Sequence, residues 1–191
     1  MDIDWSNELA EQLDWHWQNQ MRPRLVGLTD EEYFWEPVPG CWSLRKRGTP
    51  TKTTTVGTGD YLYEFVYPEP EIPPVTTIAW QLAHVIVGVF AARNASHFGG
   101  PPASWRDFDY AGTASEALAQ LDDAYATWIK AVRGLGPEGL IRPCGPAEGP
   151  YADSSLAQLV LHINREALHH WAEIALLRDL YQAKGHGSNG L

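Results

Sequence analysis

Four long segments of this 191-residue chain carry apolar residues at helical spacing, and this pattern restricts the fold more than any other feature. The segments cover about residues 6–25, 76–97, 115–133 and 154–183. Apolar residues that recur every three or four positions predict amphipathic helices, each of which buries one face. The chain has no alternation of strands and helices and no internal repeat. The sequence therefore predicts an all-α fold, a four-helix bundle formed by one domain of residues 1–191.

The connection between the first two long helices is much longer than a simple bundle needs. Residues 37–75 are rich in Pro, Gly and Thr, and residues 61–67 alternate weakly between apolar and polar side chains. We expect a long irregular insertion here, which could contain a hairpin. Before it, Thr29 and Glu32 have the spacing of a capping box and predict a short helix. The Gly-rich residues 184–191 are expected to form a flexible tail.

Composition restricts the partners of the protein. The chain has 14 Lys and Arg against 24 Asp and Glu, a net charge of −10, which argues against nucleic acid and against an anionic membrane surface. Two cysteines, Cys41 and Cys144, are too few for a cysteine-only zinc site or a disulfide scaffold; a single bridge and two reduced thiols both stay open. The start of the chain lacks the pattern of a signal peptide, and the longest apolar run, residues 85–92, is too short to span a bilayer. We expect a cytoplasmic protein with a small-molecule substrate.

The last helix carries polar residues on its predicted apolar face. Glu166 and His170 are four residues apart, so their side chains lie one turn apart on the same face. His84 lies in the apolar middle of the second long helix. A carboxylate and two imidazoles from two helices could hold one divalent metal ion, and three protein ligands leave positions open for water or substrate. This arrangement is typical of a catalytic metal site.

Simpler explanations of the same residues stay open at this point. A single buried His is more often a hydrogen-bonded core residue than a ligand, and Glu and His four residues apart are common on helix surfaces. His169 could also replace His170 as the ligand, with His162 on a neighbouring face. Consecutive helical residues point about 100° apart, so His169 and His170 cannot both face the bundle centre. The apolar stripe favours His170.

Two stretches of the predicted helices form longer motifs. The last-helix stretch is residues 162–181, beginning His-Ile-Asn-Arg-Glu-Ala-Leu-His-His-Trp, and the second-helix stretch is residues 78–84, Ile-Ala-Trp-Gln-Leu-Ala-His. Both stretches resemble the motif helices of the DinB-like superfamily. The resemblance extends to proteins related to mycothiol-dependent maleylpyruvate isomerase. It implies that His84, Glu166 and His170 hold a divalent metal ion, zinc first, with nickel, iron or manganese as alternatives. It also implies a homodimer.

The resemblance further implies a metal-dependent transferase or isomerase that uses a low-molecular-weight thiol, such as mycothiol or bacillithiol, on a small electrophile. Two alternatives stay open: a metal-dependent small-molecule hydrolase, and a non-catalytic protein with a vestigial metal site. These alternatives include both enzymes and a protein without activity. No catalytic residue is identified beyond the metal ligands.

A thiol cofactor with a carboxylate would need basic residues near the metal. Arg93 and Arg165 are the candidate cofactor-binding residues, and Arg178 has the same character. Arg165 and Arg178 could equally form surface ion pairs with neighbouring acidic residues such as Glu166 and Asp179.

Nine Trp residues are an unusual number for this length. Trp80, Trp128 and Trp171 lie in helical segments, where core packing is expected. Trp42 and Trp105 lie in loop sequence, where they could wall a pocket or cover one end of a bundle.

Overall fold

Helices make up most of the protein, and four of them are long. The computed structural model of the chain describes residues 3–187, and side chains for residues 3–185. Helix α1 comprises Trp5–His16 and continues through a π-helical segment, Trp17–Met21, and a last turn, Arg22–Arg24. Helix α3 comprises Ile78–Ala83, a π-helical segment His84–Ala91, and Ala92–Phe98. Helices α4 and α6 are Ala114–Arg133 and Leu156–Gly187.

Short helices connect the long ones. Helix α2 is Asp30–Tyr33, helix α5 is Gly136–Ile141, and a 3-10 segment at Pro146–Tyr151 precedes α6. Helix α6 runs four residues beyond the end expected near Ala183. Part of the tail predicted for residues 184–191 is thus helical, and the part from residue 188 onward lies outside the described residues.

Hydroxyl caps begin most of these helices. Thr77 caps α3 by accepting a hydrogen bond from the Trp80 amide at 3.2 Å. Thr113 caps α4 in the same way, by accepting from the Glu116 amide. Thr29 caps α2 by accepting from the Glu32 amide, but the Glu32 carboxylate binds elsewhere, so only half of the predicted capping box forms.

The insertion contains a three-stranded antiparallel sheet, so an all-α class is too narrow for this protein. The strands are β1, Leu44–Lys46; β2, Thr54–Val56; and β3, Tyr61–Phe65. Strand β3 lies in the centre, with its Tyr63 opposite Leu44 on one side and Val56 on the other. The expected hairpin is the β2–β3 pair. The third strand was not expected, because a three-residue strand gives almost no periodic signal.

The sheet is fixed to the helices through buried groups. Glu64 of β3 is 4% exposed, and its carboxylate accepts hydrogen bonds from the Ser43 amide and from Arg45. The backbone carbonyl of Glu64 accepts from the indole nitrogen of Trp80 at 2.8 Å, which joins β3 to α3. A buried carboxylate needs such donors to offset its lost hydration. The insertion is therefore packed on the helices beside the first turns of α3.

Aromatic side chains fill the space between the long helices. Trp17 stacks on Tyr125 at 4.2 Å, and Trp171 lies 5.3 Å from Trp17 and 6.4 Å from Phe90. Trp128 and Trp171 are essentially fully buried, as expected for helical Trp residues. Within residues 3–187, none of the helices has the combined length and apolarity that a membrane span requires.

Candidate metal centre

His84 begins the π-helical segment of α3 and is enclosed by aromatic rings. Its imidazole stacks on Trp80 at a centroid distance of 5.3 Å and an angle of 11°. On another side it lies 5.5 Å from Trp105, a residue of the loop that follows α3. Segments of π-helix are rare and occur often at functional sites. The π-helical segment of α3 places the imidazole of His84 between Trp80 and Trp105, which together form an aromatic box.

Gly88 makes room for this box. It lies one turn after His84, and a Cβ atom at Gly88 would come 2.5 Å from Cζ2 of Trp105 and 3.7 Å from Cε1 of His84. Any larger residue would displace the indole. The close approach of Trp105 to α3 therefore depends on the missing side chain.

His170 of α6 lies directly against His84. The two ring centroids are 4.4 Å apart, so imidazoles from two distant helices meet. The side chain of His170 is 12% exposed, whereas that of the neighbouring His169 is 64% exposed. This difference agrees with the helical geometry that favoured His170 as the inward residue.

Two acceptors lie close to one nitrogen of His170. Its Nδ1 atom is 2.8 Å from Oε1 of Gln81 and 3.0 Å from Oε2 of Glu173. Because both partners accept hydrogen bonds, the proton of a neutral His170 belongs on Nδ1. The Nε2 atom then carries the free lone pair.

The electrostatics of the cluster favour a neutral His84. Burial is the largest cause that lowers the pKa of His84, to about 3, and the nearby His170 and Arg93 lower it further, against the opposing charge of Glu173. The hydrogen bond from His170 lowers the pKa of Glu173, against its burial. Near neutral pH the site therefore combines a neutral imidazole with an ionised carboxylate.

Glu166, the carboxylate predicted as a ligand, points to different partners. Its Oε1 atom lies 3.6 Å from Nδ1 of His162 and 3.4 Å from Arg165, and its side chain is 32% exposed. The structure thus brings together two of the three residues predicted from the sequence. Glu166 lies on the same helix one turn before His170, and its role as a ligand stays a prediction.

Glu173 is the carboxylate that the sequence analysis missed. Together with His169 and His170 it forms a group whose potential ligand atoms all lie within 4.8 Å of one another. The signal was present in the sequence, because Glu173 follows His169 by four positions and His170 by three. The carboxylate predicted from the sequence lies before His170, at Glu166.

These donors fit a divalent metal ion. Neutral imidazole nitrogens and carboxylate oxygens are the ligands that zinc and similar ions take in proteins. A carboxylate or amide acceptor on the far nitrogen of a metal-bound His is a common second partner that orients the ring. Glu173 and Gln81 have this relation to His170.

The two arginines predicted to bind a cofactor differ in position. Arg165 is 71% exposed and donates to Nδ1 of His162 at 2.6 Å, which agrees with an ordinary surface contact. Arg93 lies near the site: its guanidinium donates to the Gly88 carbonyl, and its charge reaches His84. Arg93 also contacts Glu148 at 3.3 Å.

The family model of the DinB superfamily matches residues 12–174, a range that includes α3, the insertion and the histidines of α6. Neither the curated proteins nor the solved structures give a match. Because the family match covers most of the chain, the protein belongs to the DinB superfamily.

Proposed function

We propose that the protein binds one divalent metal ion between α3 and α6, with His84 and His170 as ligands. The observation that carries the proposal is the 4.4 Å separation of the two imidazole rings. Imidazole is the commonest protein ligand of transition metals, and zinc is the metal that we propose first. Nickel, iron and manganese are alternatives with overlapping ligand preferences.

Glu166 is the proposed third ligand. Its carboxylate is partly exposed and would have to turn from His162 and Arg165 toward His170. Glu173 already shares the Nδ1 atom of His170 with Gln81, and this position suits an orienting residue better than a ligand. In a rival arrangement, His169, His170 and Glu173 would hold the ion nearer the surface.

We further propose that the four long helices form the four-helix bundle expected from the sequence, and that the protein is a homodimer. The bundle is supported by the packing of α1 and α3 against both α4 and α6.

A cytoplasmic location is supported by two free, buried cysteines, because thiols stay reduced in that compartment.

The reaction proposed for this site is a transfer or isomerisation in which an external thiol attacks a small electrophile. The DinB superfamily includes metalloenzymes, and a bound divalent ion would supply the deprotonation of a coordinated thiol. Burial raises the pKa of both Cys41 and Cys144, and both thiols are held by backbone carbonyls. Neither is suited to be the nucleophile, so the thiol would come from a cofactor such as mycothiol or bacillithiol.

Metal analysis separates the proposed site from its rival. Protein purified without a metal-affinity tag should contain about one equivalent of metal. His84→Ala should lose the ion and His169→Ala should retain it, because only His84 belongs to the proposed ligand set. Loss of the ion in His169→Ala and its retention in His84→Ala would place the ion at the group of His169, His170 and Glu173. Stoichiometric metal in both His84→Ala and His170→Ala would exclude the proposed metal site.

The reaction is tested with the metal-loaded protein and an electrophilic substrate, with and without thiol. Turnover that requires thiol supports the transferase or isomerase. Turnover with metal and water alone would indicate a hydrolase instead. In either case His170→Ala serves as the inactive control.

A further inference from the structure

Tyr63 of the insertion sheet reaches into the metal centre. Its hydroxyl lies 3.4 Å from Nδ1 of His84, and the residue is 5% exposed. Its ring stacks on Trp80 at 4.9 Å and 23°, and Trp80 in turn stacks on His84. Tyr63 and His84 therefore contact the same indole and also face each other through their polar atoms.

The position of the hydroxyl is set by the sheet. Tyr63 is in the central strand and is paired on both sides, with Leu44 and with Val56. The next residue, Glu64, accepts the indole hydrogen bond of Trp80. A side chain held by two strand neighbours and by a contact to the same helix has little freedom to move away from His84. The hydroxyl is thus a fixed feature of the site.

We propose that Tyr63 is a positioning residue for His84, a role that rests on the proposed metal site. The hydroxyl holds the Nδ1 edge of the imidazole against the sheet and leaves Nε2 as the nitrogen available to a metal ion. When Nε2 binds a metal, Nδ1 keeps its proton and donates it to the tyrosine oxygen. His170 has the matching arrangement, because Gln81 and Glu173 hold its Nδ1 edge.

The insertion then has a role at the metal site. The site includes side chains from two long helices, and the sheet formed within residues 37–75 contributes the partner of one ligand. An insertion that only covered the helices would not need a hydroxyl at the centre of β3, because a Phe ring would pack as well.

The test is Tyr63→Phe, which removes the hydroxyl and keeps the ring. Tyr61→Phe is the matched control, because Tyr61 is in the same strand and its ring packs on Phe34 rather than near His84. Metal affinity is measured by titration with Co²⁺, whose absorbance reports coordination. Loss of a partner that orients a metal-bound His typically lowers affinity about 10- to 100-fold. We expect this loss in Tyr63→Phe and no change in Tyr61→Phe.

A second readout does not need the metal. In metal-free protein labelled with ¹⁵N-histidine, Tyr63→Phe should shift the ring-nitrogen resonances of His84, and Tyr61→Phe should leave them in place. Thermal midpoints of the metal-free variants should stay close to that of the wild type, which would exclude a merely structural effect. Unchanged Co²⁺ affinity in Tyr63→Phe, or unchanged His84 resonances, would overturn the inference. A wild-type protein that binds no metal would instead remove the proposed function, and the positioning role with it.

Discussion

The Oε1 atom of Gln81 lies 2.8 Å from the Nδ1 atom of His170. Gln81 is 5% exposed, and its amide nitrogen donates to Thr76 at 2.8 Å, so its carbonyl oxygen is turned toward the histidine. Together with Glu173, this residue of α3 places the proton of a neutral His170 on Nδ1. This contact joins α3 to α6 beside the candidate metal centre.

Gln81→Leu should weaken metal binding by about 10- to 100-fold, because His170 loses an acceptor that orients its ring. The measurement is a Co²⁺ or Zn²⁺ titration of the metal-free variant. Thr76→Val should weaken metal binding less than Gln81→Leu, since it removes only the hydrogen bond that turns the Gln81 carbonyl toward His170 and keeps the acceptor itself. Equal affinities in Gln81→Leu and wild type would show that Glu173 alone orients the ring.

Gly88→Ala should destabilise the protein, although Gly to Ala within a helix is normally stabilising. The added Cβ would lie 2.5 Å from Cζ2 of Trp105, so the indole or the helix must move. Overpacking of this kind costs about 1–3 kcal/mol. Urea unfolding measures the change. Gly185→Ala is the matched control, because it lies in helix α6 with nothing within 4 Å of the added atom, and it should not be destabilised.

Gly88→Ala should also change the metal affinity of the site beside Trp105. Trp105 packs beside His84, so its displacement should loosen the aromatic box and lower metal affinity together with stability. A variant that unfolds at the same urea concentration as the wild type would contradict the close packing of Trp105 on α3.

The long helices and the two histidines could be predicted from the sequence because their signals are local. An imidazole within an apolar stripe is expected on the buried side of its helix. Both His84 and His170 face inward in this way, and their rings meet. The identity of the nearest carboxylate could not be predicted in this way. Glu166 and Glu173 both lie within one turn of His170, and only side-chain rotation determines which of them contacts it.

The sheet and the buried ion pair depend on contacts between distant parts of the chain. Strand β1 is three residues long and is recognisable only through its pairing with β3. Arg178 was considered as a cofactor-binding residue or as part of a surface ion pair, yet it is 6% exposed and binds Glu32, a residue that sequence spacing had assigned to a helix cap. Such pairings cannot be read from periodicity, because no local pattern identifies the partner.

Arg178→Met should destabilise the protein by about 3–5 kcal/mol, because it leaves the carboxylate of Glu32 buried without a charge partner. Arg178 donates to both oxygens of Glu32, at 2.7 and 3.1 Å, and also to the backbone carbonyls of Arg24 and Val26 at the end of α1. Chemical denaturation measures the loss. The double variant Glu32→Gln/Arg178→Met should recover part of it, since no unpaired charge remains. A single variant as stable as the wild type would contradict this prediction.

Asp14 should make the stability of the metal-free protein depend on pH in the acid range. Burial would raise the pKa of Asp14, but hydrogen bonds from Tyr125 at 2.5 Å and Arg133 at 2.7 Å outweigh it and lower the pKa. An unfolded Asp titrates near ~3.9, so between the folded and unfolded values only the unfolded chain binds the proton. The stabilisation is therefore complete above about pH 4 to 5 and is lost as pH falls through the folded pKa. Asp14→Asn should show a weaker decline of unfolding free energy between about pH 5 and 2.5 than wild type, and Tyr125→Phe should lie between the two. Parallel pH profiles for wild type and Asp14→Asn would show that other carboxylates cause the acid sensitivity.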